Sequence, residues 1–316
     1  MHVLITGSTG FVGSRVTELA KKRKWKVTSV IRKKTQNKHS KNFIINSIDS
    51  STDWSSSLEG VDCVIHCAAQ TPQSKQNLLA TYRETNTFGT LNLANQAAKA
   101  GVKRFVFISS IKVNGELSEI KKPFKPDLDS IPLDPYGLSK YEAEVGLAQL
   151  SKNKNLEVII IRSPLVYGPG VKANFLSMMR LVDKGIPLPL SSTNNEKSLV
   201  YLDNLSSLIL TCCEHPSASG HTFLVSDDYD VSTTQLIKHI AHFMKKPLRL
   251  VFIPMSWIQI GALILKKEHV IKKIFGNLQV NIDLTKNILG WEPPFTFDEG
   301  IKITVEAYLQ QEYAIK

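Results

Sequence analysis

His2-Val-Leu-Ile-Thr-Gly7-Ser-Thr-Gly10-Phe-Val-Gly13 is the stretch that decides the fold. An apolar, β-branched run enters three glycines spaced three apart, and an amphipathic stretch continues to about Lys22, so strand, tight turn and helix are predicted. Each glycine has its own task. Gly7 permits the turn, Gly10 lets the backbone approach a ligand, and Gly13 lets helix and strand pack closely, while the helix N-terminus offers N–H donors and partial positive charge. That combination suits a pyrophosphate, which makes Gly7, Thr9, Gly10, Phe11, Val12 and Gly13 candidates for holding a dinucleotide.

The pattern repeats outward from this turn. Lys26–Ile31, Phe43–Asn46, Asp62–His66, Arg104–Ser110 and Glu157–Arg162 read as short strands separated by helical or polar stretches, as in a parallel sheet covered on both faces. The fold class predicted is α/β: a Rossmann-type doubly wound parallel sheet with a smaller, mostly helical, discontinuous C-terminal unit. After the Pro/Gly-rich exit Ser163–Gly170, a helix is expected from about Asn174 to Lys184, and strands return at Ser198–Leu202 and Thr222–Val225. The expected division is 1–165 plus 199–222 for the nucleotide unit, and 166–198 plus 223–316 for a second unit across a cleft.

Composition narrows the function. The 316 residues are 42% hydrophobic and 21% charged, enough to bury a sizeable core and too apolar for a disordered chain. The formal charge of +11 is concentrated: ten Lys or Arg and no acid lie between Lys21 and Lys41, leaving 29 bases against 28 acids elsewhere. Trp25 is the one aromatic residue in that stretch, which lacks the interleaved rings of a nucleic-acid stacking surface, so no nucleic-acid partner is expected. Four cysteines and eight histidines form no metal-binding spacing, and no metal is expected. The longest apolar run, Leu250–Leu265, is interrupted by Pro254 and falls short of the roughly 20 residues of a spanning helix. It is expected to be a core or lid helix, with Lys266, Lys267, Lys272 and Lys273 leaving peripheral membrane contact open. A strand and glycine turn stand where a secretory signal would, so a cytoplasmic setting is expected.

The end of the second strand discriminates between dinucleotides. An acid there would hold ribose hydroxyls, whereas Val30-Ile-Arg32-Lys33-Lys34 offers cations suited to a 2′-phosphate. NADP(H) is therefore the preferred cofactor, bound by Arg32 and then Lys33, with NAD(H) as the alternative. Downstream, Tyr136-Gly-Leu-Ser-Lys140 puts a phenol and an ammonium on one helical face, where the cation is expected to lower the tyrosine pKa. Ser109-Ser110, ending a strand, supplies a hydroxyl. His66 is expected to pack near the cofactor, and Tyr82 and Arg83 either reach the cleft or lie in core or solvent.

The order of these motifs resembles the extended short-chain dehydrogenase/reductase family, the nucleotide-sugar epimerases and dehydratases. The likeness runs through the glycine turn, His66-Cys-Ala-Ala69, Asn86-Thr-Phe-Gly89-Thr90, Ser109-Ser110, Tyr136–Lys140, Arg162-Ser-Pro-Leu-Val-Tyr-Gly168, Lys197–Asp203 and Leu289–Pro293. The resemblance implies a catalytic set of Ser110, Tyr136 and Lys140. It implies cofactor contacts at Ala68, Ala69, Asn86, Ser109 and Pro164 besides Tyr136 and Lys140. It places a UDP-sugar against Asn174, Leu188, Leu190 and Lys197, with Lys112 either touching substrate or solvated, and it implies a homodimer through the helices near Asn86–Lys99 and Tyr141–Leu150.

Ile111 and Lys112 stand where dehydratases of the family carry an Asp-Glu pair, which argues against dehydration. The stretch Ser109–Glu116 looks most like the branch acting on UDP-N-acetylhexosamines in bacterial surface polysaccharide (O-antigen, lipopolysaccharide) pathways. The leading expectation is 4-keto reduction towards UDP-N-acetylquinovosamine; the alternative is a UDP-glucose or UDP-N-acetylglucosamine 4-epimerase with retained NAD. A non-catalytic cofactor sensor or nucleic-acid binder is the minor alternative, opposed by the intact Ser110, Tyr136 and Lys140.

Overall fold

The computed structural model describes residues 1–32, 41–72, 79–190, 193–254, 256–257, 260, 263 and 268–313. Among them are ten strands: β1 (His2–Thr6), β2 (Lys26–Ile31), β3 (Lys41–Ile44), β4 (Cys63–His66), β5 (Arg104–Ser110), β6 (Glu157–Ser163), β7 (Leu165–Tyr167), β8 (Lys197–Tyr201), β9 (Thr222–Leu224) and β10 (Asp230–Val231). Seven of them form one all-parallel sheet in the order β3-β2-β1-β4-β5-β6-β9. The chain winds one way from β1 to β3 and the other way from β4 onward, so a crevice opens beyond the carboxyl ends of β1 and β4.

Both faces of this sheet are buried, and alternate residues serve opposite sides. Val3, Ile5, Ile65, Val106, Ile159 and Ile161 pack under α1 (Phe11–Lys22) and α6 (Leu202–Glu214), whereas Leu4, Val64, Phe105, Phe107, Val158 and Ile160 meet the other layer. That layer contains α2 (Leu79–Tyr82), a π-helical segment Arg83–Gly89, α3 (Thr90–Lys99) and α4 (Pro135–Asn153). Continuous Val/Ile-rich strands are what two covered faces require. Arg15 holds α1 to α6 through a two-pronged pair with Asp203.

A second core, centred on Tyr167, Phe175, Met179, Tyr201, Ile237 and Ile301, gathers α5 (Ala173–Asp183), α7 (Thr233–Met244), α8 (Glu268–Phe275), α10 (Phe297–Tyr313) and the three-stranded sheet β10-β8-β7, whereas α9 (Asp283–Leu289) packs on the first core beside β9. Of the two strands expected to return to the main sheet, β9 does, pairing with β6. β8 does not: it pairs with β7 and β10, and α6 carries the chain back to the main sheet. The run expected as a core or lid helix, Leu250–Leu265, is not part of the core: Leu250 bridges to Leu188, Val251–Pro254 is not helical, Ser256, Trp257, Ile260 and Leu263 are helical, and Val251, Phe252, Ile253, Trp257, Ile260 and Leu263 are exposed.

α4 owes its placement to three local features. Asp134 caps it by accepting from the Gly137 N–H at 2.8 Å, and Pro135 starts its first turn. Gly137 lies so close to the Lys112 carbonyl that a Cβ would come within 2.6 Å of it, so only glycine lets the helix approach. One helical turn past Lys140, Glu144 pairs with Arg162 of β6 at 2.6 Å, both side chains 5% exposed. Arg162 also donates to Asn114 Oδ1 and the Pro126 carbonyl, and Ser109 donates to Glu144 at 2.5 Å. Removing one partner leaves the other charge buried and unpaired, so Arg162→Met is expected to cost about 3–5 kcal/mol. Urea unfolding checks this, with the exposed Arg180→Met as control at within about 0.5 kcal/mol.

Candidate active site

The glycine turn sits at the crevice. Gly7 has φ +65°, and Gly10 N donates to Gly7 O at 2.8 Å, closing the turn. A Cβ on Gly13 would lie 2.2 Å from Gly7 O, and one on Gly7 2.8 Å from Ala68 N, so the cradle between β1, α1 and the end of β4 has room only for glycine. Gly10 caps α1 with no side-chain bond, which leaves the first-turn N–H groups of Phe11 and Val12 directed to the turn. Phe11 packs on the second core, Val12 on the first, and Thr9 is exposed. An open helix N-terminus behind a Cβ-free cradle fits a dinucleotide's pyrophosphate. Ser8 ties the turn to β2 through Val30 O, and Arg32 is exposed just after that strand. Lys33 lies outside the described residues.

His66 ends β4 with its ring fully buried, hydrogen-bonded to Thr6 Oγ1 at 2.7 Å and Thr90 Oγ1 at 2.9 Å. The Thr90 hydroxyl donates to Asn86 O, so Thr90 accepts from the ring and the neutral Nε2–H tautomer follows. Burial, with a smaller contribution from the Lys140 charge, pushes its pKa down to about 3. Ala68, with its N–H on Thr6 Oγ1, and Ala69 follow at the half-buried strand end. Asn86 was expected to touch cofactor. Its amide clamps the Gln70 backbone in both directions and reaches Ser139, so it positions the Ala68–Gln70 turn against α4.

Ser110, Tyr136 and Lys140 converge where β5 meets α4. The Ser110 hydroxyl reaches Tyr136 and accepts from Lys112 N at 3.3 Å. The Lys140 ammonium is almost wholly buried; it donates to Ile108 O at 2.8 Å and lies 4.2 Å from the Phe107 ring centroid. Burial brings its pKa down to about 7, against the pull of Glu144. The expected lowering of the Tyr136 pKa is not what the chain produces. Burial and then the Asp134 charge push it up to about 12, opposed by the Ser110 hydrogen bond, because the ammonium is directed at a strand carbonyl. Tyr136 is thus a neutral phenol, a proton donor, in the protein by itself.

The other expected contacts have their own surroundings. The Ser109 side chain is committed to Glu144, and Lys112 bridges Glu116 and Asp134, so neither reaches the crevice as a free group. Leu188 and Leu190 are buried in the second core, and the Leu188 N–H and C=O are both taken by Arg249 and Val251. Lys197 is half-buried, donates to the Lys273 carbonyl, and has its pKa lowered to about 8 by burial. Asn174 is exposed in the first turn of α5, and Pro164 is buried between β6 and β7. Arg83 pairs with Glu142, while Tyr82 is buried and meets the Tyr136 ring edge-on at 5.9 Å. Tyr82, left open beforehand between cleft, core and solvent, is thus buried against Tyr136. Asp134 was not singled out beforehand, and the Asp134-Pro135 cap signature could have revealed it.

A strand-turn-helix cradle for a dinucleotide and a Ser-Tyr-Lys group at the end of a parallel sheet define an enzyme of the short-chain dehydrogenase/reductase type. The chain matches the NAD dependent epimerase/dehydratase family over residues 3–226 and belongs to it. It is 46% identical over 313 residues to a Vibrio cholerae protein named UDP-glucose 4-epimerase, covering 98% of this chain and 95% of that one. Among solved structures, the UDP-glucuronic acid 4-epimerase of Bacillus cereus in complex with NAD superposes with TM-score 0.80 at 21% identity, over 99% of this chain and all of that one. The UDP-glucose 4-epimerase of Thermotoga maritima with UDP-glucose gives 0.76 at 22%, over 99% and 100%.

A neutral His66 has a pH consequence. Its folded pKa lies below the unfolded value near 6.5, so between pH 6.5 and 3 the unfolded chain binds the extra proton and stability falls as pH falls. Above pH 6.5 the group contributes no slope. NMR of the His66 ring is expected to show no titration from pH 8 to 5; a midpoint near 6.5 would contradict the burial argument.

Proposed function

We propose that the protein interconverts UDP-hexoses at C4, as a UDP-glucose 4-epimerase that retains NAD. The observation that carries this is the 46% identity along 98% of the chain to the Vibrio cholerae protein of that name. Retention of the Ser110, Tyr136 and Lys140 group supports it. The family is by its description NAD dependent, and the expected preference for NADP(H) rests on Arg32 and on Lys33, which lies outside the described residues.

When bound, NAD supplies the hydride acceptor and donor for the sugar's C4 and a positive charge in its oxidised form. Gly7, Gly10, Gly13 and the first N–H groups of α1 would hold its pyrophosphate, with Ala68 and Ala69 lining it and Pro164 near the nicotinamide. Tyr136 takes and returns the proton at O4, and Ser110 donates a hydrogen bond to that oxygen. Tyr136 starts from a high pKa, so forming its phenolate draws on positive charge brought into the crevice, and the buried Lys140 supplies a share from below. Asn174 and Lys197 are the proposed contacts to the UDP diphosphate. The division into 1–165 plus 199–222 for cofactor and the remainder for sugar nucleotide belongs to the same proposal. So does a cytoplasmic homodimer, supported by the exposed Phe88 and Val145 on the two helical stretches that the resemblance assigns to pairing.

A second reading is favoured by one observation: Arg32 is exposed at the end of β2, where no carboxylate stands. On it the protein would be an NADPH-dependent 4-ketoreductase forming UDP-N-acetylquinovosamine. The purified protein supplied with UDP-glucose and no reductant is expected to form UDP-galactose without net change in nicotinamide absorbance. Failure to do so, with stoichiometric NADPH loss on a UDP-4-keto-6-deoxy-N-acetylhexosamine, establishes the second reading. In either case Tyr136→Phe is expected to lower kcat by about 10²–10⁴-fold. Lys140→Met is expected to lower kcat while holding or raising Tm, because it removes a buried charge.

A further inference from the structure

Between Lys245 and Lys273 the chain carries seven Lys or Arg and one acid, wrapped around the apolar run Leu250–Leu265. This second basic stretch was hidden by the near balance of charge outside Lys21–Lys41; outside both stretches, acids exceed bases. Of the 18 exposed large hydrophobic side chains among the described residues, six fall within 13 positions: Val251, Phe252, Ile253, Trp257, Ile260 and Leu263. Phe252 is 69% and Trp257 71% exposed, values rare for large rings unless something covers them. The run leaves the second core from a fixed point, since Leu188 N donates to Arg249 O and Val251 N to Leu188 O, both at 2.9 Å. Exposed bases stand on either side of it in sequence: Lys245 and Arg249 before, Lys272 and Lys273 after.

We propose that the surface formed by Val251, Phe252, Ile253, Trp257, Ile260 and Leu263 docks the protein on an anionic lipid bilayer, lying in the interface rather than crossing it. Aromatic and aliphatic side chains enter the headgroup boundary while flanking lysines and arginines meet anionic headgroups. Pro254 and the length of the run exclude a span, and no helix among the described residues is long and apolar enough to cross a membrane. Charge separates this occupant from a second copy of the chain. Two such surfaces face to face would set like charges against each other, whereas an anionic bilayer makes the same charges attractive.

The test uses the full chain with vesicles of phosphatidylcholine, with and without phosphatidylglycerol. Trp54 and Trp291 are buried and Trp25 is half-buried with Arg23 over its ring, so a blue shift of tryptophan emission that is lost in Trp257→Phe reports on Trp257. Sedimentation with the anionic vesicles, a blue shift, and weakening by added salt are expected. Phe252→Ser with Trp257→Ser is expected to weaken binding by about tenfold or more, through lost apolar burial, and to leave turnover of soluble substrate unchanged. Lys272→Gln with Lys273→Gln is expected to weaken binding to anionic vesicles selectively. No binding to anionic vesicles, or binding unaltered in the Phe252/Trp257 variant, overturns the proposal. So does concentration-dependent self-association abolished by that variant in a protein that ignores vesicles, which would make the surface an interface between copies.

Discussion

The Arg162–Glu144 pair is the interaction on which the rest of the structure depends. It joins β6 to α4 in the interior, and through Ser109, Asn114 and the Pro126 carbonyl it draws in β5 and the loop beyond it. A buried ion pair contributes little net stability compared with well-packed apolar groups, but it penalises every arrangement in which its partners separate. Here that penalty fixes the rotation of α4. Lys140 lies one helical turn before Glu144, and Tyr136 one turn before Lys140, so orienting Glu144 inward orients all three toward the end of β5.

The glycine turn and this pair divide the work of building the crevice. The cradle sets where a pyrophosphate can lie, because Gly13 against Gly7 O and Gly7 against Ala68 leave no room for a side chain. The hydrogen bonds among His66, Thr6, Thr90 and Asn86 lock β1, β4 and the π-helical segment Arg83–Gly89 into one floor beneath it. Polar groups buried this deeply are tolerated because each has a partner. The resulting floor is uncharged, with the buried Lys140, its pKa brought down to about 7, set into its edge.

Most of the fold was legible because its signals are local. β1, α1, β2 and β5 lie where period, glycine spacing and β-branched runs put them, and all the large-sheet strands end at the crevice as the α/β pattern requires. The misplaced elements were decided by distant partners. β8 has the composition of a buried strand whichever sheet it joins, and the exposure of Phe252, Trp257, Ile260 and Leu263 cannot be read from hydropathy. In the site, spacing placed Tyr136 and Lys140 on one face correctly, yet the direction of the Tyr136 shift depends on where the ammonium points. Ser109, Lys112 and Asn86 likewise looked free as residue types and are taken by Glu144, by Asp134 with Glu116, and by Gln70. Tyr82 meets Tyr136 across 54 positions of sequence, a contact that no local pattern signals.

In the proposed epimerisation the carbon skeleton of the sugar is never deprotonated: a hydride leaves C4 and returns to it, while Tyr136 moves only the proton on O4. Turnover of UDP-glucose in deuterium oxide tests this most directly. UDP-galactose that carries protium at C4 and no deuterium on any ring carbon is the predicted result. Deuterium at C4, or at a neighbouring carbon, would contradict it.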